Sequence, residues 1–321
     1  MKSKQVGRAK GSGSGIARGC PRLVVVGSIG LDTIETPETR RADVLGGSVS
    51  YACAAARFFT RVGMVGVVGT DFPAGYRRLY RRLGIDTAGL QIAEGRTFRW
   101  SGVYEPDFIN RRTLSTELNV FADFMPELPP SFLDAPLVLL GNIAPALQLH
   151  VLDQMRSARF VAADTMDLWI RTTRADLDAV IGRVDLITLN DSEARLLTGR
   201  HSLKDAAIAV RRMGPKYVVI KKGEHGAMLS YPGGMSIIPA FPVDRLRDPT
   251  GAGDAFAGAM MGWLAGCGRI KSSEVSRAMV AGSVVASFAV ESFGLDGLAS
   301  LSAPRIEARR RALRAMADVF G

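Results

Sequence analysis

The sequence predicts an α/β fold: a central, mainly parallel sheet with helices on both faces and a small antiparallel β lid. Three observations predict it. Short continuous apolar runs recur along the chain and read as buried strands. Stretches of helical periodicity lie between them, the alternation that builds a parallel sheet. Two segments, about 33–45 and 96–122, break this rhythm with polar or alternating residues and read as half-solvated lid strands.

The first strand is Leu23-Val24-Val25-Val26-Gly27. Val62 to Val68 follows, then Leu137 to Gly141, Phe160 to Asp164, Leu186 to Asn190 and Tyr217 to Ile220. Helices are expected over 48–60, 71–83, 146–156, 172–182 and 202–212, and again over 252–265, 273–289 and 304–319. Within the lid, Arg96 to Tyr104 and part of Arg112 to Val120 alternate polar with apolar residues. Residues 1–21, with Gly11-Ser12-Gly13-Ser14-Gly15, are expected to be a disordered basic tail before one domain over 22–321.

A chain of 321 residues can bury one sizeable core. Its net charge of +10 raises the question of nucleic acid. The excess sits in Lys2, Lys4, Arg8, Lys10, Arg18 and Arg22, and in Arg305, Arg309, Arg310, Arg311 and Arg314 near the other end. The body between them is close to neutral, so no nucleic-acid partner is expected. No stretch reaches the ~20 apolar residues of a membrane span, and no apolar core follows the first basic residues to make a signal peptide. Cys20, Cys53 and Cys267 are far apart, which fits neither a disulfide framework nor a zinc site and suits a reducing cytoplasm.

The most informative run is Asp248-Pro249-Thr250-Gly251-Ala252-Gly253-Asp254, leading into a helix of small residues. Glycines let backbone N–H groups approach an anion closely, and the first N–H groups of a helix lack internal partners. The helix dipole adds positive potential there. Gly251, Ala252 and Gly253 thus form a candidate anion hole for a phosphoryl group, with Asp254 placed to take a proton from an attacking hydroxyl. The bland alternative is a glycine-rich turn with Asp254 as a helix cap. Two aspartates flanking Thr-Gly-Ala-Gly favour function.

This run resembles the C-terminal signature of the ribokinase or PfkB family of carbohydrate and nucleoside kinases, and four further motifs follow the family's order. Gly27-Ser28-Ile29-Gly30-Leu31-Asp32 is similar to its first strand and substrate-binding acid. Gly46-Gly47 is similar to its paired glycines, Asn190-Asp191-Ser192-Glu193 to its N-x-x-E motif, and Lys221 to Gly226 to its K-x-G-x-x-G turn. The resemblance covers about Leu23 to Ser302 and implies a ribokinase-like fold.

The resemblance also implies roles. Asp254 becomes the general base. Asn190 and Glu193 place Mg²⁺ and phosphates, with Glu193 reaching the metal through water; a capping box is the structural alternative. Lys221, Gly223, Gly226 and Ser283 fall to ATP. Asp32, Gly46, Gly47, Tyr51, Asn142 and Arg112 fall to the acceptor. Asp248 and Thr250, with Ser292-Phe293-Gly294, resemble a K⁺ site. A homodimer through the lid is also implied. Ribokinases proper carry Asn where this chain has Gly30 and Tyr51, which speaks against ribose as the acceptor. Tyr51, Phe98 and Trp100 could wall a nucleobase or belong to the core.

The expected activity is transfer of the ATP γ-phosphoryl group to a hydroxyl of a sugar or sugar-like molecule, with a nucleoside as the alternative acceptor. Two rivals come from other classes: a nucleotide-binding regulator without catalysis, against which Asp254 and its glycines argue, and a nucleic-acid binder using the tail. No G-x-x-x-x-G-K-[ST] run marks a P-loop, and no G-x-G-x-x-G follows the first strand.

Overall fold

The computed structural model describes residues 20–108 and 110–318; the basic tail expected over 1–21 lies, except for Cys20 and Pro21, outside them. The chain opens with β1 (Leu23–Val26), β2 (Gly30–Glu35), β3 (Arg40–Gly46), α1 (Ser48–Ala56), β4 (Val62–Gly69), α2 (Ala74–Arg82) and β5 (Asp86–Ala93). It continues with β6 (Phe98–Tyr104), β7 (Arg111–Glu117), β8 (Leu137–Leu140), α3 (Pro145–Gln154), β9 (Phe160–Asp164), α4 (Asp167–Thr172) and α5 (Arg174–Ile181). Then come β10 (Leu186–Asn190), α6 (Asp191–Thr198), α7 (Leu203–Arg211), β11 (Tyr217–Lys221), β12 (Ala227–Tyr231) and β13 (Gly234–Ile238). Four helices close the described chain: α8 (Ala252–Ala265), α9 (Ser272–Ala289), α10 (Asp296–Ala299) and α11 (Ala303–Ala317).

Nine strands form the central sheet in the order β13-β12-β11-β10-β9-β8-β1-β4-β5. From β11 to β5 every pairing is parallel, and β12 and β13 add an antiparallel edge. Strand alternation splits the core in two. Leu23 and Val25 of β1 face a layer with α1, α8 and α9, whereas Val24 and Val26 face one with α3, α5 and α7. Both faces being covered explains why the central strands read as unbroken apolar runs. Strands β5, β12 and β13 were not legible this way. β5 is largely solvated, and β12–β13 is a hairpin at the sheet edge.

The small sheet has the order β3-β2-β6-β7. Its two hairpins are antiparallel, and β2 and β6 join them by a parallel pairing. In the central sheet the chain moves from β1 outward through β4 to β5, then returns to β8 and runs the other way to β11. The strand order therefore reverses between β1 and β8, where open α/β sheets bind ligands beyond their carboxyl ends.

Candidate active site

Three neighbouring strands end in polar residues at that edge: β9 in Asp164, β10 in Asn190 and β11 in Lys221. Lys221 Nζ reaches across β10 to donate to both Asp164 oxygens, at 3.0 Å each. Thr188 Oγ1 donates to Asp164 Oδ1 at 2.6 Å. Asn190 and Glu193 form a reciprocal capping box: Glu193 N–H donates to Asn190 Oδ1 and Asn190 N–H to Glu193 Oε2, both at 2.7 Å. Asp164 belongs to none of the motifs read from the sequence, although like Asn190 it is a polar residue closing a buried strand.

Helix α8 begins against this edge. A Cβ placed on Gly253 would lie 3.0 Å from Lys221 Nζ, so the ammonium sits at the first turn of the helix. Gly251 is left-handed (φ 74°) and lies on the ring of Tyr51, so a side chain there would be strained and would strike that ring. Ala252 N–H donates to the Pro249 carbonyl at 3.2 Å, which removes it from the expected anion hole. Gly251 and Gly253 N–H have no protein acceptor among the described residues. Asp254 is half-buried in this first turn.

Asp248 is 1% exposed and has no cationic partner among the described residues. Its Oδ1 accepts from Thr250 N–H at 2.9 Å and its Oδ2 from Gly294 N–H at 3.2 Å, which ties the α8 loop to the 292–294 loop. Burial pushes its pKa up, against these hydrogen bonds.

The residues expected at the acceptor, Asp32, Gly46 and Gly47, lie on β2, β3 and the turn into α1. Asp32 is 4% exposed, and its carboxylate lies on the α-carbon of Gly46, a place that any side chain at 46 would fill. Asp32 Oδ1 is buried without a hydrogen-bond partner among the described residues. Gly47 turns the chain into α1 as its N-cap. Tyr104 on β6 reaches from the small sheet to Thr250, with 2.9 Å between the two hydroxyl oxygens. Arg111 pairs with Tyr104 in the β6–β7 ladder and stacks over Trp100 at 5.5 Å.

Several expected residues stand elsewhere. Arg112 pairs with Val103, so alternation turns it to the opposite face from Arg111, whose charge acts on Asp32 and Asp254. Tyr51 is 1% exposed beneath Gly251, with no hydrogen-bond partner for its hydroxyl among the described residues, and is packing rather than an open wall. Phe98 packs on Phe121, and Trp100 Nε1 donates to Thr113 Oγ1 at 3.2 Å. Asn142 Oδ1 accepts from Trp169 Nε1 at 2.8 Å and its amide donates to Met166 Sδ, which binds it to α4. Ser283 Oγ donates to the Pro239 carbonyl at 2.9 Å. Gly223 and Gly226 flank the short turn after β11.

Crowding of acids shapes the electrostatics. Burial raises Asp254 to about 7, with Asp164 adding to the rise and Lys221 and Arg111 opposing it. Asp32 is also raised to about 7, by burial, then Asp248 and Asp254, against Arg111. Glu193 reaches about 7 by burial, eased by Lys221. For Lys221 burial acts against the charged form, but Asp164, Glu193 and Asp254 outweigh it and raise its pKa. Carboxylates poised near neutrality in a cleft are characteristic of proton-transfer sites.

A mainly parallel sheet, polar strand ends facing a glycine-rich helix start, and a second sheet hydrogen-bonded to that start define a ribokinase-like kinase. Comparison with known proteins agrees. Residues 22–300 match the profile of the pfkB family of carbohydrate kinases. A cytidine kinase of Thermococcus kodakarensis is 35% identical over 255 residues, 77% of this chain and 88% of its own length. A fructokinase of Klebsiella pneumoniae is 26% identical over 270 residues, 77% and 85% of the two chains. The solved structure of Burkholderia thailandensis nucleoside kinase in complex with inosine shares the fold, with a TM-score of 0.73 over 91% of this chain and 99% of its own at 20% identity. The chain belongs to the pfkB family of carbohydrate kinases and, as such, is a phosphotransferase acting on a hydroxyl group.

Proposed function

We propose that this kinase transfers the γ-phosphoryl group of ATP to a hydroxyl of a nucleoside. The observation that carries the acceptor class is the 35% identity to a cytidine kinase across 88% of that protein. The acceptor side supports it. Gly30 lies against the Phe98 ring, and Tyr51 is buried, so neither position offers the amide that ribokinases proper carry there.

Asp32 accepts hydrogen bonds from acceptor hydroxyls, a role that suits its unpartnered Oδ1. Asp254 takes the proton of the attacking hydroxyl as the new O–P bond forms and the bond to the leaving ADP oxygen breaks. Gly251 and Gly253 N–H, with Lys221, hold the charge that develops on the transferring group. Gly223, Gly226 and the Ser283 face of α9 border the rest of the nucleotide. The small sheet, segments 33–45 and 96–122 of the single domain over 22–321, acts as a lid that excludes water, with Tyr104 as its contact on the helix start.

Among the described residues no three His, Cys, Asp or Glu side chains form a metal cage. Glu193 and Asn190 are nevertheless hard oxygen donors, and Mg²⁺ keeps most of its waters, so they fit a phosphate-bound Mg²⁺ held through water. Bound there, Mg²⁺ would neutralise phosphate charge. Asp248, buried with no cationic side chain paired to it among the described residues, fits K⁺ together with Thr250 and the 292–294 loop. Strand β7 is exposed along its length, with Leu114 50% exposed, and we assign it to self-association.

The test is ADP release from ATP and Mg²⁺ across nucleosides, sugars and sugar phosphates. Turnover with nucleosides above all is expected. Turnover confined to free sugars would overturn the acceptor assignment, and none with any acceptor would overturn the kinase reading.

A further inference from the structure

We propose that Asp164 is a positioning residue, which holds Lys221 at the phosphoryl pocket and keeps it from pairing with the base Asp254. This rests on the kinase reading above. The geometry carries it. Lys221 extends from β11 over the end of β10 to reach β9, two strands away. Two bonds of 3.0 Å fix Nζ, and the recipient is itself fixed: Thr188 holds Oδ1 at 2.6 Å. Gln148 Nε2 donates to both the Asp164 and Gly141 carbonyls, at 2.9 Å each, and so secures the backbone. Asp164 is 6% exposed. A buried carboxylate with this many donors is a rigid anchor for a long flexible ammonium chain.

Asp254 forms no ion pair within 4.0 Å among the described residues, although Lys221 carries its Nζ to the same helix turn. A base locked in an ion pair with a lysine would be a poor proton acceptor. A lysine spent on that pair would also be lost to the phosphoryl oxygens. Asp164 prevents both by engaging Nζ with both of its oxygens. The groups acting on Asp254 are Asp164 from β9, Lys221 from β11 and Arg111 from β7; Asp254 in turn acts on Asp32 of β2 and Tyr51 of α1, and Glu193 of α6 acts on Lys221. Among the charged neighbours, Asp164 exerts the largest influence on Asp254 and raises its pKa, while Lys221 lowers it. Removing Asp164 therefore lowers the Asp254 midpoint, both by losing a negative neighbour and by releasing Lys221. Removing Lys221 raises it.

The experiment titrates the carboxyl carbon of Asp254 by NMR in the full chain, with the resonance assigned by its loss in Asp254→Asn. It is run in wild type, Asp164→Asn, Asp164→Glu and Lys221→Met, beside the pH profile of kcat. In Asp164→Asn the midpoint is expected to fall from about 7 by about one unit or more. The acid limb of kcat should move with it, and kcat should drop about 10–100-fold. Asp164→Glu restores the midpoint in part, and Lys221→Met shifts it the other way, which keeps the test decisive if Asp164→Asn does not fold. Midpoints that stay put in Asp164→Asn and Lys221→Met would overturn the inference and leave a purely structural ion pair. A defect cured by excess Mg²⁺ with the midpoint unmoved would overturn it in favour of a metal ligand. The titration needs no turnover, so a wild type without kinase activity would defeat the kinase reading alone.

Discussion

The hydroxyls of Tyr104 and Thr250, 146 residues apart in sequence, are hydrogen-bonded at 2.9 Å and join the small sheet to the loop that starts α8. Thr250 lies one residue before Gly251, so this contact ties the small sheet to the turn proposed to bind the phosphoryl group. Tyr104→Phe keeps the packing and removes this bond, which is worth about 0.5–1.5 kcal/mol. The variant is expected to raise the acceptor KM by about 2–10-fold with ATP binding unchanged. Steady-state kinetics against acceptor, with calorimetry of ATP binding, checks it. An unchanged KM would separate the small sheet from acceptor capture.

Gly251 is constrained twice, by its left-handed backbone and by the Tyr51 ring against its α-carbon. Gly251→Ala should therefore cost on the order of 1–3 kcal/mol of stability and lower kcat about 100-fold by displacing the turn. Paired thermal melts and single-turnover kinetics check this. A variant with wild-type melting and turnover would show that the turn tolerates a side chain.

The crowded acids make stability depend on pH. The Asp254 pKa rises from an ordinary 3.8 to about 7, so between these values the folded chain holds a proton that the unfolded chain has released. Stability thus falls as pH rises through this window, and the penalty is complete above pH 7. Asp254→Asn and Asp32→Asn remove such penalties. Both should melt above wild type at pH 8, with the gain shrinking toward pH 4, as scanning calorimetry across pH would show. Lower melting of both variants at pH 8 would contradict the stated crowding.

Asp248 offers a test of monovalent cations. A buried carboxylate without a cationic partner should gain from K⁺, and exchanging K⁺ for choline should lower both the melting temperature and turnover. In Asp248→Asn both responses should vanish. Equal melting of the wild-type protein in the two salts would remove the K⁺ assignment.

Local chemistry was legible in the sequence, and lateral geometry was not. The Asn190–Glu193 box and the Asp248–Asp254 loop are short-range patterns, visible because their members are sequence neighbours. The buried strands announced themselves because both faces of the sheet are covered. The Asp164–Lys221 pair depends on β9 and β11 lying either side of β10, an order that no single stretch encodes. The choice of Arg111 over Arg112 depends on a register shift between Ser101 and Gly102. Tyr51 looked available beside paired glycines, and only the packing of α1 beneath the α8 loop shows it enclosed. The edge strands β5 and β13 lacked the cover on both faces that makes an apolar run continuous.

The proposed role of Asp254 as general base is decided by kcat of Asp254→Asn against wild type at pH 8 with a nucleoside acceptor, measured alongside ATP affinity. A loss of about 10²–10⁴ in kcat with ATP affinity nearly unchanged is expected. Near-normal turnover in the variant would contradict it.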